Sequence, residues 1–229
     1  MHIDIHDNGA FGSALVHLSP GEEFVSEAGA MFRSSDNVDI DVTTRSRSSG
    51  GIMSGIKRMI AGENFFFSRY SVVDDREAEV GLAPNLQGQV KLIECNGKAN
   101  WVCAGGSYLG SGVDLNIDTQ FQGLRGVLSG ESLSFLNVEG AGPLLVNAFG
   151  TITELEVEGG LTIDTGHVVA FEDTLEYSVG KAGGSWVSSF LTSEGFVLHF
   201  SGYGRVYVQS HNPDEFGSTL GPMLPERNS

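Results

Sequence analysis

Basic side chains are scarce in this chain: 13 Lys and Arg stand against 29 Asp and Glu, a formal net charge of −16. A phosphate backbone is held by clustered Lys and Arg, so nucleic acid is excluded as an expected partner. Such an acidic chain repels itself and other anions. Proline is scarce too, 6 against 32 glycines, with apolar residues at 40%, which describes a turn-rich globular protein rather than a disordered one. Cysteine occurs twice, as Cys95 and Cys103, without a CxxC pair, so no zinc site is expected and two buried thiols in a reducing compartment are. No apolar run approaches the ~18 residues of a spanning helix. The first residues form neither a secretory leader nor an Arg-rich, acid-poor targeting segment, which makes the cytoplasm the expected compartment. Gly9-Ala10-Phe11-Gly12 is too short for a dinucleotide loop, and Ser54 does not make GxSxG. No Ser/His/Asp order, phosphate loop or pair of catalytic carboxylates stands out. The chain therefore reads as non-enzymatic, with no cofactor.

What is present is a pattern written three times. Residues 56–67 place apolar side chains at offsets 0, 3 and 4, a Glu at offset 7, and apolar side chains again at 9 and 11. Residues 124–135 and 187–198 repeat this order. The first half has helical spacing and the second has strand spacing, so each Glu sits where a short helical turn hands over to a strand. Glu63, Glu131 and Glu194 are 68 and 63 residues apart, the period of one supersecondary unit built three times.

Other landmarks keep the same order. Glu27-Ala28-Gly29-Ala30, Cys103-Ala104-Gly105-Gly106 and Asp164-Thr165-Gly166-His167 precede Val38–Thr43, Val113–Asp118 and Leu175–Val179. The Val38–Thr43 segment alternates as a half-buried strand, apolar on one face and acidic on the other. Glu79–Leu82, Pro143–Val146 and Gly204–Val208 then close the three units. His2–Asp7 alternates as an opening strand with Ile3 and Ile5 inward, and Ser13–Leu18 extends again. Glycine pairs at 50–51, 105–106, 159–160 and 183–184 read as turns between strands. One unit of ~60 residues cannot hide an apolar face alone, whereas three share a core. The expected fold is all-β, three repeated units around a pseudo-threefold axis in a barrel, prism or sandwich, with short helical turns. It forms one domain over residues 1–211, in units of about 15–82, 98–149 and 159–210. Residues 212–229, with three prolines and no apolar periodicity, read as a tail that drapes over the surface or is loosely ordered.

Several residues carry candidate chemistry. Ile52, Met53, Ile56, Met59 and Ile60 share one face of a helical wheel, with Lys57 and Arg58 opposite. That stripe suits core packing, a subunit contact, or contact with a partner or an anionic membrane surface. Glu63, Glu131 and Glu194 hold equivalent places, and a threefold axis would bring them together as weak candidates for a hard cation. Bonding to free backbone N–H groups is the alternative. Glu27, Cys103 and Asp164 share another equivalent place, where the thiol argues against a common metal role. His2, Asp4 and His6 lie on one strand face, but the imidazoles are ~13 Å apart along it, which favours a solvated edge. His167 and His199 read as satisfied strand histidines. Asp39, Asp41, Asp114, Asp118 and Glu176 read as wet strand faces.

The run from Gly50 through Ile52-Met53-Ser54-Gly55-Ile56-Lys57-Arg58-Met59-Ile60-Ala61-Gly62-Glu63-Asn64-Phe65-Phe66 resembles the signature of the family named for altered inheritance of mitochondria, protein twenty-four. The resemblance continues through Leu161–Phe171 and the closing Gly204-Arg205-Val206-Tyr207-Val208-Gln209, over nearly the whole chain. It implies a β-rich, triplicated fold like that of the tryptophan RNA-binding attenuation protein. Fungal relatives support mitochondrial inner-membrane organisation, bacterial members have no settled activity, and no catalytic residues come with the family. The function it implies is a scaffold or interaction module in the cytoplasm or at a membrane face, self-associating and meeting a protein partner. The alternative is a small-ligand or divalent-cation-binding β protein that uses the three equivalent glutamates.

Overall fold

The computed structural model describes residues 1–9, 11–43, 66–118, 135–181 and 196–225. Among these the chain forms seventeen strands. The first seven are β1 (His2–His6), β2 (Ser13–Leu18), β3 (Glu23–Glu27), β4 (Met31–Ser34), β5 (Val38–Thr43), β6 (Phe67–Val72) and β7 (Ala78–Leu82). The next six are β8 (Val90–Asn96), β9 (Trp101–Ala104), β10 (Tyr108–Gly112), β11 (Asn116–Asp118), β12 (Phe135–Glu139) and β13 (Ala141–Asn147). Then come β14 (Ile152–Asp164), a 3-10 turn at Thr165–His167, β15 (Val168–Glu172), β16 (Leu175–Lys181) and β17 (Phe196–Gln209). A short helix, α1 (Pro213–Leu220), follows. With a last 3-10 turn at Gly221–Met223, the described residues are otherwise all-β.

Three antiparallel sheets result. Their orders are β1-β2-β7-β4, then β5-β6-β3-β10-β13-β8, then β11-β12-β9-β15-β17-β14 with β16 also on β17. β6 runs between β5 and β3, β12 between β11 and β9, and the first half of β17 between β16 and β14. β7 runs between β4 and β2, β13 between β10 and β8, and the second half of β17 between β15 and β14. β3 crosses to β10, and β9 crosses to β15.

Burial follows from these positions. β2 alternates, with Ala14, Val16 and Leu18 inward, because one of its faces meets solvent. β10, central in its sheet, is buried at all five residues. Its Gly110 has no room for a side chain, since a Cβ there would stand 2.8 Å from the Val25 carbonyl and 2.7 Å from the Phe24 ring. Two buried hydroxyl pairs sit here: Ser26 Oγ with the Tyr70 hydroxyl and Ser111 Oγ with the Tyr108 hydroxyl, each at 2.9 Å. One core cluster holds Trp101, Cys103, Tyr108 and Tyr207, a second Phe24, Tyr70, Val80 and Leu145, and a third Phe135, Phe171, Leu198 and Phe200. The chain between β7 and β8 stitches them together. Gly12 N donates to the Gly88 carbonyl (2.7 Å), Gln89 N to Gly150 (2.8 Å), Ala148 N to Gln89 (3.1 Å) and Gly150 N to Gln87 (2.9 Å).

Ile3 is buried as expected, and Ile5 packs on the second cluster. Three expectations fail. Ile40 and Val42 were to be the buried face of β5, yet β5 is an edge strand and leaves them 43% and 59% exposed. Gly159–Gly160 was to separate strands, but β14 runs through it. Gly159 faces Gly202 across the ladder, both at φ +100, so the pair shapes one long ribbon instead of ending it. The tail was to drape over the surface or be loosely ordered, but residues 213–220 form the regular helix α1. Asn212 Oδ1 accepts from Asp214 N (2.9 Å) and Glu215 N (3.4 Å), Pro213 occupies the first turn, and two acids complement the helix dipole. Asn-Pro-Asp-Glu is a start signal that apolar periodicity alone overlooks. Phe216 packs on Phe149 at 5.0 Å.

Candidate functional site

Three turns converge at one end of the sheets. In the first, between β3 and β4, Ala30 N donates to the Glu27 carbonyl (3.2 Å) and Gly29 takes φ +92. In the second, between β9 and β10, Ser107 N donates to the Ala104 carbonyl (3.0 Å) and Gly106 takes φ +81. Glycine stands at the third position of both because only it enters that conformation without strain. In the third turn, Asp164 Oδ1 accepts from Gly166 N at 2.9 Å. Gly166 must lack a side chain because a Cβ would fall 2.2 Å from Asn212 Nδ2, the residue that caps α1.

A cavity of 880 Å³ opens among these turns, bounded also by residues 83–86 after β7 and by one face of α1. Its apolar wall includes Leu86, Leu109, Phe149 and Val168. Two amide side chains end strands on it. Gln209 is spent on structure: Phe149 N donates to its Oε1 (2.8 Å), and its Nε2 donates to the Gly166 carbonyl (2.7 Å). Asn147 is 9% exposed, and its Nδ2 donates to the Gly106 carbonyl at 3.1 Å. A carbonyl only accepts, so the NH2 must face it and Oδ1 must face away. That Oδ1 is buried and has no partner, an omission that costs roughly 1–3 kcal/mol.

Glu27 supplies the carboxyl of this cavity on the β3 side. Burial pushes its pKa up. Its carboxyl makes no hydrogen bond or ion pair with the described residues. Asp214, on α1, adds a second carboxyl to the lining. The cavity thus sets two carboxyls in a partly apolar wall. Of the equivalent set Glu27, Cys103 and Asp164, the first lines the cavity, the second is fully buried in the core, and the third caps its own turn.

The other predicted candidates fall elsewhere. Ile52, Met53, Ile56, Lys57, Arg58, Met59 and Ile60 lie outside the described residues, as do Glu63, Glu131 and Glu194. His2 Nε2 meets Asp4 Oδ1 at 2.8 Å. His6 does not join them; His17 of β2 does, at 3.0 Å from Asp4 Oδ2, stacked 5.8 Å from the His2 ring. These contacts, His17 first and then His2, lower the Asp4 pKa. The described residues hold no group of three or more His, Cys, Asp or Glu arranged for a metal. His167 Nδ1 donates to the Gln209 carbonyl (2.8 Å), and His199 Nδ1 pairs with Thr162 Oγ1 (2.9 Å), so both histidines are structurally engaged. Asp39, Asp41, Asp114, Asp118 and Glu176 are exposed. Burial, followed by the Glu94 charge, pushes the Cys95 thiol up to about 11, and complete burial pushes Cys103 higher, so neither offers a thiolate at neutral pH. Asn147 and Gln209 were not singled out from sequence. Their shared mark is an amide directly after the closing apolar run of a unit.

Among the described residues no helix is long and apolar enough to cross a membrane. The chain is 30% identical over 231 residues to an uncharacterized protein of Streptococcus pyogenes serotype M6, covering 98% of this chain and 92% of that one. A crystal structure of a Streptococcus pyogenes protein superposes with a TM-score of 0.77 at 28% identity, over 97% of this chain and 99% of the other. The model of the family described as mitochondrial biogenesis AIM24 matches residues 3–211, and to that family this chain belongs.

Proposed function

We propose that this protein is a non-enzymatic binding scaffold. In this reading it is one β unit built three times around a pseudo-threefold axis, and its working surface is the cavity where the three turns meet. The recurrent strand pairing supports the triplication: β5-β6-β3, β11-β12-β9 and β16-β17-β14 repeat one order, and β4-β7-β2, β10-β13-β8 and β15-β17-β14 repeat another. The observation that carries the binding role is the cavity wall itself. It sets the Glu27 carboxyl, which has no partner among the described residues, beside the apolar Leu86, Phe149 and Val168, within a volume suited to a small organic molecule.

The test is thermal unfolding of the whole chain against a panel of small metabolites, with a plugged variant as control. A ligand at 100 times its Kd adds about 2.7 kcal/mol of stability. Gly217→Leu serves as the plug: Gly217 lines the cavity on α1, a Cβ there meets nothing within 4 Å, and leucine favours the helix. Stabilisation seen in the parent and lost in Gly217→Leu is expected. Stabilisation that survives the plug for every hit would refute the cavity as the working surface.

The exposed Ile40 and Val42 on edge strand β5 favour a second, compatible reading, self-association through that edge. Light scattering on Ile40→Lys with Val42→Lys should show a smaller species than the parent, and an unchanged mass refutes it. The basic amphipathic stretch 50–61 is proposed as the partner- or membrane-facing element. Its test is flotation with anionic vesicles, which Ile56→Asp should abolish.

A further inference from the structure

We infer that the outer face of the sheet β1-β2-β7-β4 docks a second copy of this chain, face to face about a two-fold axis, with Phe32 and Leu15 at the centre of the contact. The inference goes beyond the cavity reading and does not depend on it. It starts from a bulge that occurs three times. The register slips by one residue between Met31 and Arg33 in β4, between Tyr108 and Gly110 in β10, and between Val168 and Ala170 in β15. The extra residues are Phe32, Leu109 and Val169. Leu109 and Val169 are 1% and 0% exposed, one in the second core cluster with Val16, Phe24 and Leu82, the other in the first with Trp101, Leu136 and Val146. Phe32 is 57% exposed. β10 and β15 are central strands whose bulges this chain's own sheets cover, whereas β4 is the edge of its sheet.

The face around Phe32 has the anatomy of an interface. Ala14, Val16, Val80 and Leu82 point inward, which turns Leu15, His17, Glu79 and Gly81 outward. A Cβ on Gly81 would stand 2.7 Å from Phe32 Cζ, so the Phe32 ring lies over that glycine on the outer side. Leu15 sits directly across from Gly81 on β2. These three make a low apolar centre. The rim is polar and already paired: Asp4 meets His2 at 2.8 Å and His17 at 3.0 Å, and Glu79 meets Arg33 at 2.9 Å and His17 at 3.4 Å. Covering it therefore strands none of these charges. The rim also selects the partner. It holds two carboxylates and one guanidinium, net −1 with neutral histidines, in a chain of −16, so two copies can approach here without setting acid against acid. Arg33 is spent on Glu79, which gives an anionic membrane little to hold. A two-fold contact needs no second docking surface. Four strands and about five residues at the usual spacings give a footprint of roughly 15 by 17 Å, at the small end for a specific contact, so the dimer should form reversibly with concentration.

Sedimentation velocity on the whole chain from micromolar to millimolar concentration tests this. The mass is expected to rise from that of one chain toward twice that value. Phe32→Lys and, separately, Leu15→Lys should each raise the dissociation constant by roughly 10-fold or more, because a two-fold contact meets each new charge twice. Both side chains lie on the outer face, on different strands, and an unchanged far-UV spectrum of the dilute variants shows that the fold is kept. A parent that stays at the mass of one chain throughout overturns the inference, and so does a dimer that both folded variants leave intact. If Ile40→Lys with Val42→Lys dissolves the dimer and the two face variants do not, the β5 edge is the contact and this face is not. The cavity reading is scored separately by ligand and Gly217→Leu, so either can fail alone.

Discussion

Replacing Phe171 by alanine removes a ring that has no solvent exposure and holds the third core cluster together. Its neighbours are Phe200 at 5.0 Å, Tyr177 at 5.1 Å and Phe135 at 5.8 Å, all close to edge-to-face. Phe171 sits on β15, paired through Val102 to β9 and through Val206 to β17, so it cannot retreat without breaking ladders on both sides. Burial of an aromatic side chain and the cavity left behind together account for roughly 3–5 kcal/mol, and three ring pairs lost at once place the expectation at the upper end. In a chain of this size each kcal/mol moves Tm by about 2–4 °C, which predicts a fall of roughly 10–20 °C. Phe171→Leu keeps most of the volume and should cost clearly less. Urea unfolding followed by far-UV circular dichroism, with calorimetry beside it, reads both variants. A loss below about 1.5 kcal/mol for Phe171→Ala would mean that the site collapses or that the rings do not interlock, and the packing described here would be wrong.

Glu27→Gln should raise stability at neutral pH. The folded carboxyl is raised above its unfolded value by burial, so its ionisation penalty is absent below the unfolded pKa and fully felt above the folded one. The gain over the parent should shrink to nothing as unfolding is repeated down to pH 4. Asp74 behaves oppositely: bonds from Asn37 and then Arg76 lower its pKa from 3.8 to about 2. Its stabilisation is present above pH 4 and lost as pH falls toward 2, so Asp74→Asn should weaken the β6–β7 connection at neutral pH but match the parent near pH 2. Gly88→Ala should destabilise severely, because its Cβ would fall 1.6 Å from the Ala148 carbonyl oxygen, backbone against backbone. Poor yield of folded protein with Gly88→Ala beside normal Gly217→Ala is the expected comparison.

The strands of β1 and β2 were legible because a period of two is local: Ile3 and Ala14, Val16, Leu18 alternate with polar neighbours and had one face to hide. The turn at Gly105–Gly106 was visible for a similar reason, since glycine at the positive-φ position announces itself. The cavity was not visible. It depends on Glu27 and on Asn147 and Gly166, more than a hundred residues further along the chain, brought together only by the crossings of β3 to β10 and β9 to β15.

By itself the sequence determined the class: alternation and glycine turns commit the chain to antiparallel sheets, and its acidity disfavours phosphate-backbone partners. Only the tertiary structure decided which strands are central and which are edges. It also decided what covers an edge: Val38-Asp39-Ile40-Asp41-Val42 and Asn116-Ile117-Asp118 alternate alike and both become edge strands, yet Ile117 packs into the first core cluster and Ile40 is exposed. Alternation records that a strand has two faces, whereas what covers each face is set by the elements that pack against it, a long-range property that no local pattern encodes.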